Sequence, residues 1–255
     1  MTTAVPAEKI TLEVCVGSVA DARAAIAAGA DRLELCSGLE VGGLTPSIGL
    51  VETVVAATSV PVIAMLRPRA GGFCYDADEF AAMLRDAEQF LAAGAAGVAF
   101  GILDQQAHID VARSREIIAR VGTREAVVHR AFDFTEDQFA ALDALIELKA
   151  TRVLTSGGEP AALAGSAKLR ELAARAAGRI ELMAGGGING ENVAEVLATS
   201  GLRQVHIGAS GPADDRSIAS TVPINLCDQR FFHGAAYRVV VQNSVAATAE
   251  ALRNA

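Results

Sequence analysis

The sequence predicts an α/β chain folded as a single (β/α)8 barrel of TIM type, and three observations predict it. The chain has 255 residues, close to the roughly 250 that such a barrel uses. Short apolar runs alternate with longer alanine-rich amphipathic runs, which implies parallel strands joined by helical crossovers. Eight such units follow one another without a linker or low-complexity break, which favours closure of the sheet on itself. An open doubly wound sheet would carry a glycine fingerprint after its first strand. Here that strand runs into CVGSVADA, without G-x-G-x-x-G.

Strands are expected at about 11–16, 31–36, 61–67, 96–101, 125–130, 151–155, 179–184 and 202–207. The helices between them carry start and stop signals. Ser18 with Asp21 resembles a capping box ahead of DARAAIAAG. Thr45-Pro46 reads as an N-cap followed by proline at the first helical position. Thr135 with Gln138 repeats the capping-box pattern. Gly29, Gly94 and Gly201 follow helical runs, where left-handed C-caps belong. One domain is expected over 1–255, with 209–235 an irregular, polar segment near the barrel mouth and a last helix at about 236–253.

Composition narrows the function classes. Apolar residues make up 51% and aromatic ones 4%, with a formal net charge of −8 and no basic run. That charge argues against a nucleic-acid partner. No apolar stretch is long enough to span a bilayer, and the first residues do not read as a signal peptide. A cytoplasmic protein is expected, with its four cysteines, Cys15, Cys36, Cys74 and Cys227, reduced. None forms a C-x-x-C pair, so zinc-ribbon and thioredoxin readings fail.

Strands covered on both faces should be apolar throughout, and several here are not. Glu13 and Cys15 share one side-chain phase of the first strand, and Arg32, Glu34 and Cys36 one phase of the second. The polar phase should therefore point into the barrel. Arg67 ends the third strand and Arg69 follows it; His129 ends the fifth with Asp133 just beyond. Glu181 and Met183 share a phase in the seventh strand, Gln204 and His206 in the eighth. Buried carboxylates at Glu13, Glu34 and Glu181 need partners, and Arg67 is the most obvious. These residues form either a structural ion-pair plug or an active site at the strand ends. Glycine-rich turns follow the sixth strand, with Ser156, Gly157 and Gly158 in LTSGG, and the seventh, with Gly185, Gly186 and Gly187 in AGGGIN. Their backbone N–H groups, beside the HIGAS turn of His206, offer a seat for an anion.

The segments LEVCV, GADRLELC, GGLTPS, LRPRAGGF, FGIL, HRAFD, LTSGG and AGGGIN, with VH in the last strand, resemble the CutC family of copper homeostasis proteins. They run in order from residue 12 to about residue 206. The resemblance implies a TIM-type barrel, a cytoplasmic setting, a homodimer or larger homo-oligomer, and a Cu(I) site on Cys15 and Cys36. It carries no role onto Cys74 or Cys227. The chemistry fits: Cu(I) is soft and prefers sulfur ligands, and the two cysteines end neighbouring strands in the same phase. Met183, His129 or His206 could add a further ligand.

The competing expectation is an isomerase or lyase acting on a small phosphorylated or carboxylated metabolite. Arg67 and Arg69 would clamp the anion. Glu13, Glu34 or His129 would move a proton, His129 being the natural acid–base group, with Asp133 to orient it. No lysine ends an expected strand, which argues against a Schiff-base aldolase. A non-catalytic scaffold is the third class, disfavoured by the desolvation of so many charges.

Overall fold

The computed structural model describes residues 9–214, 217 and 236–254. Eight parallel strands close into a barrel: β1 Thr11–Val16, β2 Arg32–Leu35, β3 Val62–Met65, β4 Gly97–Phe100, β5 Glu125–Val128, β6 Arg152–Thr155, β7 Glu181–Gly185 and β8 Gln204–Ile207. Closure is direct, since β1 pairs in parallel with both β2 and β8. The helices are α1 Val19–Ala27, α2 Ile48–Ala57, α3 Ala77–Ala92, α4 Val111–Val121, α5 Gln138–Glu147, α6 Ser166–Ala176, α7 Val193–Ser200 and α8 Gln242–Arg253.

The period-two alternation of the strands separates two cores. Leu12, Val14, Val16, Leu33 and Leu35 face outward into the large layer between strands and helices. Cys15, Cys36, Ile63, Met65, Ala99 and Val127 form a small separate cluster. They belong to the other strand phase, which points into the barrel.

Several local expectations shift by a residue or two. Ser18 caps α1 by accepting from the Asp21 amide, but the Asp21 carboxylate accepts from the Gly17 and Val240 amides. The cap of α2 is Ser47; the Thr45 hydroxyl instead accepts from the Arg67 amide. The cap of α5 is Asp137, while the Thr135 hydroxyl donates to the Phe132 carbonyl. A complete capping box lies at α3, between Asp76 and Glu79. Gly29, Gly94 and Gly201 do take left-handed conformations after their helices.

The segment expected to be irregular from 209 opens with a regular strand, β9 Ser210–Asp214. It pairs antiparallel with β10 Ala236–Val240, so the last helix starts at Gln242 rather than 236. The Val240 amide donates to the Asp21 carboxylate and the Val241 amide to the Ala209 carbonyl, tying this ribbon to α1 and the end of β8. The remainder of 209–235, with Cys227, lies outside the described residues apart from Ser217.

Candidate functional site at the barrel mouth

Strand register builds the site. Glu13 of β1 stands opposite Arg32 of β2 on one side and His206 of β8 on the other, and Cys15 stands opposite Glu34. Glu13, 1% exposed, accepts from Arg32 Nε at 2.5 Å through one oxygen and contacts His206 Nδ1 at 2.8 Å through the other. His206 Nε2 lies 3.8 Å from Glu34 Oε2. The Cys15 and Cys36 sulfurs are 3.7 Å apart, and Cys36 Sγ is 3.6 Å from Glu34 Oε2. Glu13, Glu34, His206, Cys15 and Cys36 thus share one buried cluster, with Arg32 bonded to Glu13. Two overlapping donor sets could hold a metal ion: Cys15, Glu34 and Cys36, and Glu13, Glu34 and His206.

Their electrostatics follow from that proximity. Burial alone would protonate Glu13, but the hydrogen bond and charge of His206, with Arg32, hold its carboxyl down at about 2. Burial and the negative groups at Cys15 and Glu13 push Glu34 up to about 8, against the pull of His206. The Cys36 thiol beside Cys15 lowers that cysteine to about 6 against the cost of burial, with help from His206. Cys36, the donor of the pair and buried, is pushed well above the ordinary thiol range. Burial opposes a charge on His206, yet Glu34, Cys15 and Glu13 together hold it as imidazolium. The cluster is a thiolate–thiol pair backed by an imidazolium and flanked by one ionised and one readily protonated carboxyl.

Arg67 is not the partner of these carboxylates. Glu13 takes Arg32, while Glu181 begins β7 at the far end of the barrel and takes Arg152, which also holds Glu125. Gln204 joins by donating to Glu181. Arg32, Arg152, Glu181 and Gln204 sit at the N-terminal ends of their strands, so they plug the barrel floor and do not reach the mouth. Met183 accepts from Arg32 Nη2 at 3.2 Å and is fully buried; that contact takes its sulfur away from the cysteines.

Above the cluster opens a cleft of about 820 Å3. Its walls include Cys15, Glu34, Met65, Arg67, Phe73, His129, Arg130 and His206, and Tyr237 and Arg238 of β10 border it. Arg67 is buried against the loops after β2 and β3: Nη1 donates to the Val41 and Gly43 carbonyls and Nη2 to that of Gly71. Gly43 has φ +85°, and an added Cβ would lie 3.0 Å from the Cys36 sulfur, so this backbone closes over the thiol where a larger residue could not. Arg69 turns away into an ion pair with Glu79 and stacks over Tyr75, so it does not clamp a ligand with Arg67.

His129 lines the cleft but cannot titrate near neutrality, because burial and then the Arg67 charge lower it to about 3. Asp133 does not orient it. The Asp133 carboxylate accepts instead from Thr155 Oγ1, the amides of Ser156 and Gly158, and Arg130 Nε. This answers the expectation of an anion seat in LTSGG: those amides hold an anion, and it is the chain's own Asp133. Gly185, Gly186 and Gly187 are absent from the cleft wall. They permit close packing, Gly185 against Leu154, Gly186 against Arg130 and Gly187 against Ala161. Cys74 is exposed. Arg32 and Arg130 are the functional neighbours that the sequence left unassigned; Arg130 lies inside HRAFD, and Arg32 was visible as a charge on the inward phase.

Fold and site together define a (β/α)8 barrel with a buried dithiol–carboxylate–histidine cluster toward the C-terminal ends of its strands. The model of the CutC family matches residues 10–211, and the chain belongs to that family. A CutC family protein of Treponema denticola is 45% identical over 202 residues, covering 79% of this chain and 82% of that one. The human copper homeostasis protein cutC homolog is 41% identical over 203 residues, 80% of this chain and 74% of that one. The solved CutC protein of Streptococcus agalactiae is 30% identical with a TM-score of 0.73, covering 77% of this chain and 97% of its own. Phosphoribosylanthranilate isomerase of Thermotoga maritima, at 12% identity and a TM-score of 0.58 over 96% of this chain and 100% of its own, shares the fold alone. No helix among the described residues is long and apolar enough to cross a membrane.

Proposed function

We propose that this chain binds Cu(I) through the sulfurs of Cys15 and Cys36 and serves copper homeostasis, as the human relative's name states for that protein. The observation that carries this reading is the 3.7 Å contact between two buried sulfurs, one of which, that of Cys15, belongs to a residue lining an open cleft. Soft sulfur donors are what Cu(I) prefers over harder metals. The donor set fits in charge as well: Cys15 is already inclined to the thiolate, and the His206 imidazolium offsets part of the negative charge that two thiolates would bring. Glu34, raised to about 8, stands next to Cys36 and can take up or release the proton that metal binding displaces. Adjacent reduced thiols suit a cytoplasmic setting, and the family resemblance adds a homodimer or larger homo-oligomer.

The metabolite isomerase or lyase keeps the cleft but loses two of its parts, since His129 is held neutral and Asp133 is committed to the LTSGG loop. The copper reading is tested by an anaerobic competition titration against a chromophoric Cu(I) chelator. One tight equivalent per chain, abolished in Cys15→Ser/Cys36→Ser, is the expected result. Binding that survives both substitutions removes the reading.

A further inference from the structure

We propose that the cleft also holds a small monocarboxylate with an apolar body, bound by Arg67 and His129 on the wall formed where β3 and β5 end. This site does not depend on copper. Arg67 is 8% exposed and has no carboxylate partner among the described residues. Its terminal nitrogens donate to backbone carbonyls, which satisfy hydrogen bonds without neutralising the charge, the Tyr75 hydroxyl beside it is uncharged, and its Nε has no hydrogen-bond partner among the described residues. The other arginines that the fold buries or half-buries in the barrel interior and mouth, among the described residues, are paired: Arg32 with Glu13, Arg152 with Glu125 and Glu181, Arg130 with Asp133. A buried charge without a counter-ion costs several kcal/mol, so Arg67 is an exception that a bound anion would resolve.

His129 supplies the second donor. It is 5% exposed, and its Nδ1 accepts from the Ala131 amide at 3.1 Å. The proton of the neutral ring therefore sits on Nε2, which is buried with no partner among the described residues. Gly101 makes room for this ring: an added Cβ there would lie 2.5 Å from His129 Cε1. Both groups abut Phe73, with Arg67 Cζ 5.3 Å from that ring's centroid and the His129 ring centroid also at 5.3 Å. Arg67 and His129 both line the cleft, and their two unpartnered N–H donors, one of them cationic, are buried in its wall beside Met65, Phe73, Phe134 and Leu154.

The chemistry of the donors selects the ligand class. One uncompensated positive charge matches one negative charge, and two donors match the two oxygens of a carboxylate. A phosphate dianion would bring a second charge; of the other arginines on the wall, Arg130 is already neutralised by Asp133, and Arg238 is exposed on β10 and bonded to Ser210. The apolar wall suits a hydrocarbon or aromatic body attached to the carboxylate.

Calorimetric titration of the full-length, metal-free, reduced protein with benzoate tests the site, using neutral benzamide and inorganic phosphate as comparisons. Benzoate is expected to bind once per chain, benzamide not measurably, and phosphate more weakly than benzoate. His129→Phe removes the orphaned Nε2 donor and keeps a ring in place, but also removes the acceptor of the Ala131 amide, so a thermal melt checks that it folds; it should weaken benzoate roughly tenfold or more, the worth of a hydrogen bond to a charged group. Arg67→Met should abolish binding, and a thermal melt shows whether its loops hold. Cys15→Ser/Cys36→Ser should bind benzoate as the wild type does, which separates this site from the thiol site. Absence of benzoate binding, equal affinity in His129→Phe, or tighter phosphate than benzoate each overturns the proposal.

Discussion

At the scale of single residues, the behaviour of Cys15 follows from what touches it. Its thiol sits at about 6 because Cys36 donates to it and His206 stands by, against the opposing cost of burial. Thiolate absorbance in the ultraviolet, followed against pH, should show one thiol titrating in mildly acidic solution. In Cys36→Ala and in His206→Gln that midpoint should move upward, the larger move belonging to Cys36, the stronger cause. An unmoved midpoint in both contradicts the assigned cluster. The two cysteines and two glutamates of the cluster are legible in the alternation of LEVCV and RLELC alone. Their partners are not. Whether Arg32 or Arg67 meets Glu13 depends on strand register and on which end of a strand a residue occupies, and a four-residue strand carries little of either in its sequence. The neutrality of His129 is equally hidden, since it comes from burial that the loops impose.

At the scale of elements, the β2–β1–β8 ladder is held by a buried ion network. Removing one member leaves the others buried and unpaired, so Glu13→Gln should cost about 3–5 kcal/mol in urea unfolding. Arg175→Ala, which breaks the exposed pair with Asp143 between α6 and α5, should cost under about 1 kcal/mol. The Glu13 network has a pH signature. Its carboxyl lies at about 2 in the fold against 4.5 for the ordinary group. A lowered acid stabilises the fold fully above the ordinary value and loses that contribution as pH falls through the folded value. Wild-type stability should therefore drop between about pH 4.5 and 2 by more than that of Glu13→Gln; parallel acid profiles for the two proteins contradict the assignment. Elements also show where sequence signals mislead. LTSGG reads as an anion seat because its amides do bind an anion, but the sequence cannot show that Asp133, 23 positions before Ser156, folds into it.

At the scale of the whole molecule, the barrel was readable because it repeats: eight apolar runs in one phase, with no break, leave few other ways to bury both faces of a parallel sheet. The ribbon of β9 and β10 was not readable. SGPAD carries glycine, proline and aspartate, poor strand formers, and its pairing with residues 236–240 spans more than twenty positions. The molecule therefore combines a closed, ion-plugged floor, a dithiol cluster above it, and a cleft open above both. Copper binding by that cluster is the central claim, and X-ray absorption at the copper edge of the Cu(I)-loaded protein tests it most directly. Two sulfur neighbours in the copper shell, lost in Cys15→Ser/Cys36→Ser, are the predicted result. A shell of nitrogen and oxygen alone would contradict it.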